Sequence, residues 1–324
     1  MHSQSKALEL VNKYISELSY AHEPAGLYDP VQYVLSLGGK RIRPVLMLLA
    51  YNLYKESISE ILSPAVGLEI YHNFTLLHDD LMDKADMRRN KPTVHKMWDD
   101  NTAILSGDAM LILAYQYVAN CSSSCMKNVL STFTQAALEV CEGQQYDMDF
   151  EHRNDVKEEE YLEMIRLKTS VLLAAALKMG AQLAGASKND ADNLYNFGLN
   201  IGLAFQLKDD LLDVYGDPAV FGKNIGGDIL CNKKTYMLIK ALEKGNEEQR
   251  AELKSWIEKE EFDPKEKIQA VTALYNQIDV KLFCENKMRE YYAKGLESLS
   301  MVSVVEEKKR ELRSLAEHLM YREM

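Results

Sequence analysis

Six aspartates stand at two places in this chain with one spacing. Asp79, Asp80 and Asp83 lie in LLHDDLMDKADMRR, and Asp209, Asp210 and Asp213 in FQLKDDLLDVYGD. Each triplet reads D-D-x-x-D, which brings the first and last carboxylates onto one helix face, one turn apart. Like charges that close destabilise a helix unless something cationic offsets them. Clustered carboxylate oxygens are the ligands magnesium prefers, completed by water and substrate phosphates instead of a closed protein cage. One such motif alone is more often a solvated acidic turn. Both copies here sit in otherwise apolar helical patterns, which a solvated face does not explain. Their recurrence 130 residues apart suggests two facing helix walls around one metal cluster.

The basic residues then become informative. Gly38-Gly39-Lys40-Arg41-Ile42-Arg43-Pro44 concentrates cations in a glycine-bearing turn ahead of the first triplet. Such a turn suits a diphosphate cradle in which Arg makes bidentate contacts, although a basic loop solvating a helix end has the same composition. Arg88 and Arg89 follow the first triplet, and Lys168-Thr169, Lys223 and Lys233 supply further cations on later segments.

Long helices must position these groups. Apolar residues recur every three or four positions, as in Leu8, Val11, Ile15 and Leu18, and period-two strands are missing, so the chain reads as all-α. Residues 44–53 and 65–77 are apolar enough for interior helices. The C-terminal segment carries Leu312, Leu315 and Leu319 on one face, as a surface helix docked by leucines would. Residues 93–217 contain no proline, and no linker of low complexity divides the chain, so one domain over 1–324 is expected. Loops are expected at GLYDP (26–30), SLGGK (36–40), NKPT (90–93), GDP (216–218), GKNIGGD (222–228) and FDPKEK (262–267).

With 38 Lys and Arg against 49 Asp and Glu, the net charge of −11 disfavours nucleic acid as a partner. Apolar residues at 47%, with 16 Gly and 7 Pro, exclude a collagenous, disordered or turn-dense all-β chain. Five scattered cysteines without C-x-x-C spacing fit reduced thiols in the cytoplasm. The N-terminus is amphipathic where a signal peptide needs an apolar run, and the apolar stretch from Val171 is broken by Lys178 and Gln182, so no integral membrane segment is expected.

In chain order the residues resemble the trans-isoprenyl diphosphate synthases, or polyprenyl synthetases. The matching features are GGKRIRP (38–44), His72, DDLMD with RR (79–89), SGDAML (106–111), GQQYD (143–147), Lys168-Thr169, QLKDDLLD (206–213), GKNIGGD (222–228) and NKKT (232–235). They span about two thirds of the chain. The resemblance implies a bundle of long antiparallel helices around a deep central cavity, a cytoplasmic location and a homodimer. It implies that Asp79, Asp80, Asp83, Asp209, Asp210 and Asp213 hold magnesium, which bridges to an allylic diphosphate assisted by Arg88, Lys168, Lys223 and Lys233. Lys40, Arg43, His72 and Arg89 match positions that bind isopentenyl diphosphate. Gln144, Thr169, Gln206 and Asp228 match supporting positions.

The implied reaction begins when cations stabilise charge on the departing diphosphate, so that the allylic C–O bond breaks. The double bond of isopentenyl diphosphate then attacks the carbocation, and proton loss to the released diphosphate gives a chain one isoprene unit longer. No side chain need act as nucleophile, and His78 reads as structural. In this family a bulky residue four or five positions before the first Asp blocks the growing chain, here Thr75 and Phe74. At 100° per residue Thr75 lies about 40° from Asp79 and Phe74 about 140° away, so the floor role of Phe74 rests on the resemblance alone. Phe74 with the small Thr75 favours geranylgeranyl diphosphate, with farnesyl diphosphate the alternative. A class I terpene cyclase would not need the Lys40/Arg43 cradle. A di-iron bundle would need a second E-x-x-H beside Glu69 and His72. A non-catalytic helical subunit of a prenyltransferase complex would have no reason to keep both triplets.

Overall fold

Apolar stripes at helical spacing become helices throughout. The computed structural model describes residues 2–216 and 225–321. The helices are α1 (Gln4–Glu17), α2 (Ala25–Ser36), α3 (Ile42–Asn52), α4 (Leu62–Met82), α5 (Val94–Met97), α6 (Asp100–Ala119), α7 (Ser123–Glu151), α8 (Glu158–Ile165), α9 (Val171–Ala184) and α10 (Lys188–Tyr215). After them come α11 (Gly227–Leu230), α12 (Tyr236–Lys244), α13 (Glu247–Glu258), α14 (Pro264–Gln277), α15 (Val280–Ser300) and α16 (Glu306–Tyr321). The proline-free stretch holds the two longest among the described residues, α7 and α10, at 29 and 28 residues.

Three local expectations are corrected. Residues 26–30, expected as a loop, lie within α2. Pro30 removes one backbone donor from that helix, but burial of Pro30, Val31, Val34 and Leu35 on one stripe outweighs the loss. Residues 264–267, also expected in a loop, open α14, because Pro264 suits a first helical position and the Asp263 carboxylate accepts from the Lys265 and Glu266 N–H groups at 2.9 Å. A two-residue antiparallel ladder, β1 (Met87–Arg88) with β2 (Lys91–Pro92), interrupts the all-α pattern. Arg89 and Asn90 form its loop with φ of 53° and 60°, as a type I′ turn requires.

The chain divides into two compact units. The first comprises Met1–Thr134, Ala175–Leu194 and Ser303–Leu312. In it α4 packs along α6 and α3. Gly67 permits that approach, since a Cβ there would lie 2.8 Å from the Val118 nitrogen. Every residue of α3 from Pro44 to Asn52 is buried. The later segments are tied in by the Ser303 N–H on Asp190 Oδ1 at 2.8 Å and Lys308 Nζ on the Leu53 carbonyl at 3.0 Å.

On length and composition alone α6 could cross a bilayer, with mean hydropathy 1.2 over its most apolar window, a third of it buried. The apolar stretch at residue 171 forms α9, which at 14 residues is too short to cross a bilayer. The inner side of α6, Ala103, Ser106, Gly107, Met110, Ala114 and Val118, belongs to the core of this unit. On the outer side Ile104, Leu105 and Ile112 are 47, 60 and 70% exposed.

The second unit comprises Gln135–Ala174, Tyr195–Val302 and Arg313–Met324. Here α12 packs on α8 and α15, and α14 on α11, α13 and α15. Gly295 of α15 lies against the Ile201 side chain, and the Cys284 thiol reaches the Leu207 carbonyl at 3.4 Å. The leucines of the C-terminal stripe are buried, Leu312 in the first unit and Leu315 and Leu319 in the second. All five cysteines are free.

Candidate active site

Both aspartate triplets occupy the C-terminal end of a helix, one in α4 and one in α10. Exposed carbonyls and the macrodipole make such an end favourable for cations and unfavourable for carboxylates, so each cluster needs positive charge.

In the first unit the hairpin supplies it. Arg88 Nε bonds both Asp80 oxygens, at 2.8 and 2.7 Å, and Arg88 Nη2 lies 3.9 Å from Asp79 Oδ2. Asp80 is buried, and that burial raises its pKa despite Arg88. Burial also works against the Arg88 charge, but the Asp80 hydrogen bond and nearby carboxylates more than offset it and raise the Arg88 pKa. The flanking Asp79 is half-buried and Asp83 exposed. The middle aspartate is thus committed to the hairpin, and the outer two are more accessible.

The basic loop is built on left-handed backbone: φ is 77° at Gly38, 139° at Gly39 and 50° at Arg41. Arg89 donates to the Gly38 carbonyl, and a Cβ on Gly39 would stand 2.8 Å from Arg89 Nη2, so only glycine lets that guanidinium lie on the loop. Lys40 is exposed. Arg41 turns inward, 4% exposed, to the Glu69 carboxylate at 2.8 Å and the Leu35 carbonyl at 3.0 Å. Glu69 also accepts from Asn73 at 3.2 Å. Arg43 Nη1 donates to His72 Nε2 at 3.1 Å, and Arg43 Nε is buried with no hydrogen-bond partner among the described residues. Burial lowers the Arg43 pKa to about 10. Burial first, then the charges of Arg43, Arg89, Arg88 and Arg41, hold His72 well below the usual histidine range, so its ring is a neutral acceptor at Nε2. Glu69 and His72 therefore serve two different arginines and not one iron site.

Within α4 the Thr75 hydroxyl bonds the His72 carbonyl at 2.8 Å. The Phe74 ring stands 5.5 Å from Tyr71 and 4.8 Å from His78. Tyr71 continues to Phe133 at 5.2 Å, and Phe133 to Tyr115 at 4.8 Å. His78 Nε2 lies 3.2 Å from the Ile104 carbonyl and packs on Gly107, a structural placement.

In the second unit the middle aspartate is again the committed one. Asp210 is buried and accepts from the Tyr161 hydroxyl and from Gln206 Nε2, the latter at 3.3 Å. Burial, with the Asp228 charge, raises the Asp210 pKa to about 7. Burial likewise holds the Tyr161 hydroxyl protonated as a donor. Thr169 Oγ1 donates to Gln206 Oε1 at 3.2 Å, so Thr169, Gln206 and Asp210 form one chain of hydrogen bonds. Asp209 and Asp213 are half-buried, and Asp213 accepts the Asp228 N–H at 3.0 Å.

Lys168 sits in a π-helical turn, Arg166–Ser170, between α8 and α9. Its ammonium is 2.6 Å from Asp147 Oδ2 on α7. Gln144 is half-buried on α7 beside Gly143, and Lys233 is exposed after α11. Lys223 lies outside the described residues.

Three residues of these arrangements escaped the sequence: Arg41, Asp147 and Tyr161. Arg41 and Asp147 stand inside motifs, but nothing in their spacing separates an anchoring charge from a ligand-facing one. Tyr161 and Asp210 lie 49 residues apart, where no periodic signal operates.

The chain matches the family model described as polyprenyl synthetase over residues 24–275. A geranylgeranyl diphosphate synthase of Methanosarcina mazei is 42% identical over 237 residues, 72% of this chain and 73% of that protein. A crystal structure of a geranylgeranyl pyrophosphate synthase superposes with a TM-score of 0.95 at 43% identity, covering all of both chains. That of the Corynebacterium glutamicum geranylgeranyl pyrophosphate synthase, complexed with isoprenyl diphosphate and magnesium, superposes at 0.85 with 28% identity over 98% of each chain.

Proposed function

The chain belongs to the polyprenyl synthetase family, and from that premise we propose that it is a magnesium-dependent trans-prenyltransferase extending an allylic prenyl diphosphate with isopentenyl diphosphate. Its favoured product is geranylgeranyl diphosphate, in line with the named relatives and with Phe74 below the first triplet. The observation that carries the reading is the shared build of the two triplets: each lies at a helix C-terminus, with its middle aspartate buried on a side-chain donor and its outer aspartates more accessible.

Magnesium fits that donor set. Its ligands would be hard carboxylate oxygens, and a helix C-terminus favours cations. Among the described residues no three His, Cys, Asp or Glu side chains form a metal cage by themselves. Magnesium needs none, since it commonly takes one or two carboxylates with water and substrate phosphates. Asp79 and Asp83 would hold magnesium in the first unit, and Asp209 and Asp213 in the second, with Asp80 and Asp210 as anchors. Bound there, it supplies Lewis-acid stabilisation of charge on a departing diphosphate.

The protein's own groups do the rest. Lys40, Arg43, His72 and Arg89 take the diphosphate of isopentenyl diphosphate: the buried Arg43 Nε has no hydrogen-bond partner among the described residues, and a neutral His72 orients Arg43 by accepting from it at Nε2. Arg88, Lys168, Lys223 and Lys233 serve the allylic diphosphate, with Thr169 and Gln206 in support. Phe74, backed by Tyr71, limits the growing chain, and Thr75 leaves room beside it.

We further propose a cytoplasmic homodimer, with no nucleic-acid partner at a net charge of −11. The exposed Ile104, Leu105 and Ile112 on α6 suit a second copy, and five free thiols suit a reducing compartment. Four of the unit boundaries fall inside helices, which supports one catalytic domain over 1–324. The test incubates purified protein with magnesium, isopentenyl diphosphate and each allylic starter, then sizes the products. All-trans geranylgeranyl diphosphate is expected; cyclised hydrocarbon, or no condensation with any starter, would sink the proposal.

A further inference from the structure

Gly143 and Asp147 are four residues apart on α7, on one face. A Cβ at Gly143 would press on the Lys168 backbone nitrogen, so at this point α7 and the π turn meet at backbone distance. On the other side Gly202 of α10 does the same, since a Cβ there would lie 2.7 Å from Ser170 Cα. The extra residue in the π turn is thereby clamped at its backbone, while the Lys168 side chain remains four flexible carbons long. Asp147, one turn beyond Gly143, meets the ammonium at 2.6 Å, with the carboxylate 18% and the lysine 25% exposed.

We propose that Asp147 is a positioning residue of the transfer reaction, a carboxylate that fixes the Lys168 ammonium where it binds the allylic diphosphate. The inference rests on the reading of Lys168 given above. An ammonium has three donors, so it can bond Asp147 and a phosphate oxygen together, and the charge-assisted bond sets its direction. Burial works to raise the Asp147 pKa, but Lys233 and Lys168 more than offset it and keep the carboxylate ionised. One acid therefore sits in the field of two cations assigned to the same substrate. Asp147 itself touches no substrate in this role; it acts through Lys168.

The test compares wild type with D147N, D147E and K168A, measuring KM for each substrate, kcat, inhibition by inorganic pyrophosphate and helicity. D147N should raise KM for the allylic diphosphate and the inhibition constant for pyrophosphate together, by about tenfold, the worth of one charge-assisted bond. KM for isopentenyl diphosphate and helicity should stay unchanged, and D147E should recover part of the loss. If K168A raises the allylic KM and D147N does not, the positioning role is wrong. Tighter pyrophosphate binding by D147N would also overturn it, by making Asp147 a mere counter-charge. If K168A itself leaves the allylic KM and pyrophosphate inhibition unchanged, the assignment of Lys168 fails instead.

Discussion

Aspartates one position apart carry different duties in this protein. Asp80 is buried on Arg88, whereas Asp79 meets Arg88 only at 3.9 Å and keeps more accessible oxygen. Asp79→Ala should therefore cut magnesium-dependent turnover by about a thousandfold, the scale of a lost metal contribution, with little change in thermal stability. Asp80→Ala should cost about 2 kcal/mol of unfolding free energy, because a partly buried guanidinium loses its partner. Steady-state kinetics and denaturant titration of both variants check the contrast; equal effects on stability would contradict it. His72 gives a second prediction. Its folded pKa lies below the unfolded value, so the unfolded chain protonates first as pH falls, and stability present above about pH 6.5 is lost below it. Wild type should lose up to about 1.4 kcal/mol more per pH unit than His72→Gln between pH 6.5 and 5, measured by urea titration at each pH. Parallel curves would mean that His72 is not held neutral.

At the scale of elements, the cradle loop depends on a pair of charges hidden beneath it. The Arg41 and Glu69 side chains are 3 and 2% exposed, so Arg41→Ala should strand a buried carboxylate at about 3–5 kcal/mol, loosening Lys40 and Arg43 with it. Chemical denaturation reads the first effect and KM for isopentenyl diphosphate the second. Phe74→Ala should lengthen the products, seen by sizing them after turnover; an unchanged distribution would leave Phe74 as packing for Tyr71. The long helices and the cation-bearing turn were legible because repeats of three or four residues and dense charge are local signals. The start of α2 was not, since proline rules weigh one missing donor and not the stripe that Pro30 joins. Neither the π turn nor the two-residue ladder has a period, so no count along the chain finds them. Arg41 and Lys40 look alike in sequence; only Glu69, 28 residues on, separates the anchor from the exposed cation.

For the whole molecule, the outer side of α6 carries the remaining question of assembly. A charge in the centre of an apolar interface is desolvated without a partner. For the proposed homodimer, Ile112→Lys should therefore shift sedimentation from a wild-type dimer to a monomer while helicity is retained; a monomeric wild type would overturn the dimer, and an unchanged dimer would move the interface elsewhere. The all-α architecture was readable from the helical periodicity, and the family from the order of motifs. The division into two compact units was not, because four boundaries run through uninterrupted helices with no change of composition to mark them.

The π turn at Arg166–Ser170 also sets what kind of sequence change this region tolerates. Substitutions there alter one contact each. Deleting a single residue would let the winding relax to the ordinary α repeat, which keeps the flanking helices in register but removes the bulge that carries Lys168 and Thr169. Lys168 would leave Asp147, and Thr169 would leave Gln206, in one step. The length of this segment is therefore what heredity must preserve, together with Lys168 and Thr169 within it.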